Sequence, residues 1–232
     1  MPYKTFQIDG IGDVIITKHA RSKNIRIRII GSRVKVSIPR WVPYKYALKY
    51  TEQKKLWIKE NIKQKSFFYS GAKIGKHHEL QLIKNTKEKL RSKISENKVY
   101  VYIPVKYNLS DEVVQRKIQS ACEKALTKEC SALLPNKLHV LSRMNQLDYK
   151  TLAYKRLTSR WGSCDAYKNI TINTHLIQLP DHLIDYVLIH ELAHTKFMNH
   201  GSAFWQLVER CMPDYKEFRS ELKTYAPEVL IS

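Results

Sequence analysis

The stretch "HELAHTKFMNH", residues 190–200, holds three histidines and a glutamate within eleven residues. His190 and His194 stand four residues apart, so on a helix both imidazoles project from one face. Two neutral ring nitrogens at that spacing can hold one Zn²⁺, with Glu191 beside them as a general base. His200 follows six residues later, and Asn199-His200-Gly201 can turn the chain back to present a third ligand. Three protein ligands leave the fourth position for water, which is the catalytic rather than the structural arrangement. Glu191 also interrupts an apolar run of Val187, Leu188, Ile189, Leu192 and Ala193. A buried carboxylate without a partner is costly, and a metal-held water would supply one. A buried helix with merely hydrogen-bonded histidines explains neither that glutamate nor the spacing.

The elements that must position these residues are legible in outline. From Pro180 the pattern predicts helices over 181–197, 201–211 and 214–224, with Pro213 marking a break. "DYKTLAYKRL" and "NITIN" read as strands, with "TSRWGSCDAYK" between them. Ser110 is placed to cap a helix that stops near Pro135, and a second short helix is expected over 136–145. In the first half, "NIRIRIIGSRVKVSIP" (24–39) predicts a hairpin through a Gly31-Ser32 turn. Its register sets Ile29 opposite Val34, Ile27 opposite Val36 and Arg28 opposite Lys35. One face is then apolar and the other carries Arg26, Arg28, Arg33 and Lys35. Pro43 suits the start of a helix within 41–65, with Ala47, Tyr50, Trp57 and Ile58 near one face. "HHELQLI" and "KVYVYIP" read as strands. No internal repeat is evident.

Composition narrows the class. The chain has 232 residues, 43% hydrophobic and 27% charged, as an ordinary globular protein does. The N-terminus lacks the pattern of a signal peptide, and no apolar stretch approaches membrane-spanning length. Cys122, Cys130, Cys164 and Cys211 form no C-x-x-C pair, so free thiols and a cytoplasmic setting are expected. The net charge of +20 is uneven: residues 1–110 hold 25 Lys+Arg against 7 Asp+Glu, a net of +18, and residues 111–232 hold 16 against 14, a net of +2. The basic half therefore suits an acidic partner.

"SRWGSC" at 159–164, "DYVLIHELAHTKFMNHGSAFW" at 185–205 and "MPDYK" at 212–216 together closely resemble the YgjP-like metallopeptidase family, a relative of the SprT-type zinc proteases. The likeness is strong over residues 110–226 and looser upstream, through the basic hairpin, "KKLWIKENI" and "GAKIGKHHELQLI". It implies zinc held by His190, His194 and His200, Glu191 as the catalytic residue, and a small sheet beside the active-site helix. Metzincins share the histidine spacing but place Gly where this chain has Phe197, and Met212 reads as core rather than a Met-turn. Gly201 departs from the small hydroxyl residue usual in the family, which bears on the helix cap. The expected fold is α+β, with a strand-rich basic region over 1–105 and a zincin-like helical metallopeptidase domain over 106–232.

Two functions follow. One is a zinc-dependent peptidase acting on protein or peptide. The other is a nucleic-acid-binding protein with a structural or vestigial zinc, resting on the basic region with Tyr44, Tyr46, Tyr50 and Trp57 among its lysines. Glu191 separates them, since a structural site has no use for a glutamate beside its ligand. Arg160, Trp161 and Gly162 are candidates for substrate binding, through an edge strand that receives an extended peptide. The alternative is structural, with Trp161 packed under the helix and Gly162 permitting a turn. Tyr149, Tyr154, Arg156 and Arg160 are candidate oxyanion donors, and Asp185 or Tyr186 could orient a ligand or fill that role. His175 and His182 could hydrogen-bond to ligands. Phe204, Trp205, Leu207 and Val208 are expected to pack so as to fix His200. His77 and His78 point to opposite faces of a strand and should not share a metal.

Overall fold

The computed structural model describes residues 3–20, 22–30, 33–61, 68–225 and 227. The chain divides into two compact units, Met1–Phe67 and Phe68–Ser232. In the first, β1 (Tyr3–Ile8), β2 (Gly12–His19), β3 (Arg26–Ile30) and β4 (Arg33–Pro39) form a sheet of order β1-β2-β4-β3. β2 and β4 are parallel, and both outer pairs are antiparallel. β3 and β4 meet in the register that alternation predicts, with Arg28 opposite Lys35. Val14, Ile16, Val34, Val36 and Ile38 are fully buried, which drives that choice of face. The Gly31-Ser32 turn and the Arg33 side chain lie outside the described residues.

The helix expected over 41–65 is two helices, α1 (Tyr44–Gln53) and α2 (Lys55–Asn61), parted at Lys54 where ψ reaches 12°. Residues 62–65 lie outside the described residues. Ala47 and Ile58 are buried, whereas Trp57 is 47% exposed because the break interrupts the helical phase.

The second unit opens with β5 (Lys73–Ile74), β6 (His78–Asn85), β7 (Arg91–Ser95) and β8 (Lys98–Pro104), in the order β5-β6-β8-β7. β6 and β8 are parallel and the outer pairs antiparallel. This is the scheme of the first sheet. The ladders coincide as well: each of the five β3–β4 pairs recurs in β7–β8 at an offset of 65 residues, Arg26–Ser37 becoming Arg91–Tyr102 and Arg28–Lys35 becoming Lys93–Tyr100. Val34, Val36, Ile38 and Pro39 reappear as Val99, Val101, Ile103 and Pro104. The chain thus contains an internal repeat, contrary to the sequence expectation. Its signature is four residues in a strand, too short to stand out without the pairing.

α3 (Glu112–Asn145) follows as one 34-residue helix, not two. Pro135 removes a backbone donor at a cost of about 3 kcal/mol. Leu134 and Leu138 around it are fully buried, so tertiary packing carries the helix through. The N-cap is Asp111 rather than Ser110; its side chain accepts from Asn108 N–H at 2.9 Å instead of capping the helix. α3 is pinned to the β5–β6 turn by buried Glu129, which accepts the backbone N–H groups of Lys76, His77 and His78 and faces His78 Nδ1 at 2.6 Å. Gly75 (φ +69°) makes room, since a Cβ there would lie 2.3 Å from Glu129 Oε2.

β9 (Thr151–Lys155), β10 (Gly162–Cys164) and β11 (Asn169–Asn173) form a third sheet of order β10-β11-β9, leaving β10 at an edge. A 3₁₀ turn (Thr174–Gln178) leads to α4 (Asp181–Ala193), α5 (Ser202–Cys211) and α6 (Tyr215–Leu222). The fold is α+β, with small mixed sheets and six α-helices among the described residues. The boundary drawn after residue 105 from charge and pattern differs from the division at Phe67. Val99, Val101 and Ile103 share one buried cluster with Ile118, Leu126 and Leu188, so strands 73–104 and the later helices have a common core. No helix among the described residues is long and apolar enough to cross a membrane.

Candidate metal centre

α4 is buried along most of its length, with Leu183, Leu188 and Leu192 fully enclosed. Its last turn presents His190, and His194 is its C-cap with still-helical backbone angles. The two rings therefore stay on one face, their centroids 4.9 Å apart. The helix stops short of the expected residue 197. Thr195 Oγ1 donates to Leu192 O and Phe197 N–H to Ala193 O, closing the last turn. The chain then doubles back to Gly201, the extended N-cap of α5, whose N–H is taken by Asn199 Oδ1 at 3.3 Å.

This return brings His200 to the pair. One ligand atom from each histidine lies within 4.8 Å of the others, and His200 Nε2 stands 3.1 Å from His190 Nε2. His194 Nδ1 is 2.9 Å from Phe197 O. A carbonyl only accepts, so Nδ1 carries the proton and the Nε2 lone pair is left for a metal. Phe204 is the floor beneath all three rings, its centroid 5.0, 4.6 and 4.9 Å from His190, His194 and His200. Trp205 stacks on His200 at 5.6 Å, and the Arg219 guanidinium lies 4.4 Å over the Trp205 ring. Leu207 and Val208 are buried beside them.

Burial pushes His190 down to about 3, aided by His194 and His200, and burial likewise lowers His194. Both are held neutral, as metal ligands must be. Glu191 is 5% exposed, and its Oε2 has no hydrogen-bond partner among the described residues. Burial pushes its carboxyl up to about 8, with Arg160 pulling the other way.

The site opens on a cleft of about 410 Å³ lined by Arg160 to Cys164, Tyr186, Glu191 and the three histidines, among others. Gly162 does more here than permit a turn. A Cβ at this position would lie 2.7 Å from Glu191 Cγ and Oε1, so only glycine lets the strand pass this close to the carboxylate. In the ladder, Trp161 O accepts Asn173 N–H at 2.8 Å and Asp165 N–H donates to Asn169 O at 3.1 Å. By antiparallel alternation, Gly162 and Cys164 turn their backbone groups away from β11, toward the free edge. Asn173, fully buried, ties down the preceding loop through Leu157 O at 2.7 Å and Arg160 O at 2.9 Å. The sequence reading missed this residue; its one signal is a polar side chain closing the strand "NITIN".

Other candidates separate cleanly. Arg156 pairs with Glu123 at 3.1 Å, the Tyr154 hydroxyl is buried, and of the four proposed oxyanion donors only Arg160 lines the cleft. Asp185 is engaged by Lys137 at 2.7 Å, whereas Tyr186 lines the cleft, its hydroxyl pushed up to about 12 by burial. His182 pairs with Glu221 at 2.8 Å, and His175 is buried in the 3₁₀ turn. His78 serves Glu129 rather than a metal. Met212 is the C-cap of α5, not part of a helix, and packs against the core. The Cys164 thiol is pushed up to about 11, chiefly by burial, which suits a nucleophile poorly. Arg26, Arg28 and Lys35 belong to the first unit, where all three are exposed.

No curated protein matches the chain. The solved structure described as the crystal structure of the metallopeptidase zymogen of Pyrococcus abyssi abylysin is 26% identical, covering 40% of this chain and 93% of its own, with a TM-score of 0.37. Residues 23–225 match the YgjP-like, metallopeptidase domain family. That span takes in the histidine cluster, Glu191, the cleft strand and the basic hairpin, and the chain belongs to this family.

Proposed function

We propose that the protein is a zinc-dependent peptidase in which His190, His194 and His200 hold the metal and Glu191 is the general base. The observation that carries this reading is Glu191: a buried carboxylate with an unpartnered oxygen, in a cleft, adjoining three convergent imidazoles. Nitrogen ligands about 2.0–2.1 Å from a tetrahedral ion are separated by roughly 3.3 Å, close to the 3.1 Å between His190 and His200. When bound, zinc supplies Lewis acidity and positive charge, polarising a carbonyl, acidifying water and favouring the ionised form of Glu191. Glu191 Oε2 takes the proton from the attacking water and passes it to the nitrogen of the leaving amine. The outward N–H and C=O groups of Gly162 and Cys164 pair with an extended peptide, and Trp161 walls the cleft beside it. Arg160 and Tyr186 are the cleft side chains able to donate to the developing oxyanion.

A structural zinc would leave the buried Glu191 without a purpose, and the substrate cleft as well. All the proposed site residues fall within the unit Phe68–Ser232. Elemental analysis of the purified protein tests the ligand set. One zinc per chain is expected in the wild type, with loss in His190→Ala, His194→Ala and His200→Ala. Stoichiometric zinc persisting in His200→Ala would remove that residue from the set.

A further inference from the structure

The repeated sheets offer an internal comparison of their outer faces. In each, the apolar face is packed, by α1 and α2 in the first and by α3 in the second. The opposite face of the second sheet is satisfied from within. Arg91 lies 4.6 Å over the Tyr102 ring, Tyr102 stacks with Tyr100 at 6.4 Å, and both tyrosines are half-buried.

At the equivalent positions of the first sheet the tyrosines are Lys35 and Ser37, while the cations remain as Arg26 and Arg28. Arg26, Arg28 and Lys35 are all exposed, and Arg28 stands directly across from Lys35. Like charges opposed across a ladder repel. None of the three forms an ion pair among the described residues, and the nearest acidic position on this face is Asp13, one ladder step from Ile15 at the corner. The face also includes Thr5, Gln7, Ile15, Thr17, His19 and Ser37, with Tyr3, 66% exposed, at the far edge of the Arg26 row. The unit as a whole carries 16 Lys+Arg against 4 Asp+Glu, a net of +12.

We infer that this open face binds single-stranded nucleic acid through its phosphates, without sequence preference. Arg26 and Arg28 are roughly 6.6 Å apart along the strand, and the face is about 14 Å wide from β3 to β1. That geometry sets phosphates against β3 and β4 and leaves Tyr3 for a base to stack on. An anionic lipid surface suits it less, since interfacial binding also needs protruding apolar side chains. Ile15 on this face is half-buried, and charged Lys35 stands directly across from it. The inference is independent of the peptidase reading.

The test uses the full chain and fluorescein-labelled oligo(dT) and oligo(rU). Wild-type affinity should fall steeply between 50 and 200 mM salt, about 0.7 log units per log unit of salt for each phosphate contacted. Arg26→Glu with Arg28→Glu should weaken binding about tenfold or more and flatten the slope by roughly 1.4. Arg91→Glu with Lys93→Glu makes the same charge change at the equivalent strand positions and should leave affinity within about twofold. Thermal melts and zinc content identify any variant that fails to fold, for which Lys35→Glu alone substitutes. Equal losses in the two double variants would show that net charge, not this face, governs binding, and overturn the inference. So would wild-type protein that binds phosphatidylserine vesicles, or neither ligand, in place of the oligonucleotides.

Discussion

The two four-stranded sheets share strand order, strand direction and ladder register, and they differ in what each does with its two faces. The first is backed by two short helices and leaves its other face polar and cationic. The second is backed by a 34-residue helix whose buried face continues past the sheet to meet β9, the 3₁₀ turn and α4, so that it founds the core on which the histidines stand. Among the described residues only the second has a buried acid–histidine contact, Glu129 with His78, fixing helix to strand turn. One backbone plan thus accommodates two outcomes, because the packed face is constrained by volume and the open face is free to change chemistry.

The largest expected effect breaks the feature peculiar to the second sheet. Glu129→Ala removes the acceptor of three backbone N–H groups and the partner of buried His78, and should cost about 3–5 kcal/mol, the range for breaking a buried charged contact. Chemical denaturation would measure it. A loss below about 1 kcal/mol would show that this contact does not tie α3 to the sheet.

A smaller effect is expected at the strand that passes Glu191. Gly162→Ala places a Cβ within 2.7 Å of the carboxylate side chain. A shift of about 1 Å in a reacting group can cost on the order of 100-fold in rate, so kcat should fall roughly 10- to 100-fold while zinc content stays at one per chain. Unchanged kcat would show that Glu191 tolerates displacement, and parallel loss of zinc would mean that the strand supports the ligands instead.

Local patterns carried much of this structure. The hairpin register followed from alternation, and the i, i+4 histidines from helical periodicity, because both depend on neighbouring residues alone. What escaped depends on contacts distant in sequence. Pro135 reads as a stop until the burial of Leu134 and Leu138 is known. Gly162 reads as a turn residue until Glu191 is found against it, 29 residues further along. The repeat hid for a similar reason: its identity is confined to a Val-x-Val-x-Ile-Pro strand, while the likeness lies in pairing order. Asn173 had only its place at the end of "NITIN" to announce it, since its partners Leu157 O and Arg160 O are backbone atoms of a loop.

The central claim is that Glu191 moves the proton in a metal-assisted hydrolysis. Glu191→Gln keeps the shape of the side chain and removes its capacity to accept a proton. Turnover on a peptide panel should fall by roughly 10²–10⁴, with zinc content and melting temperature unchanged and oligonucleotide binding intact. Equal turnover by the wild type and Glu191→Gln, each with one zinc per chain, would contradict the account.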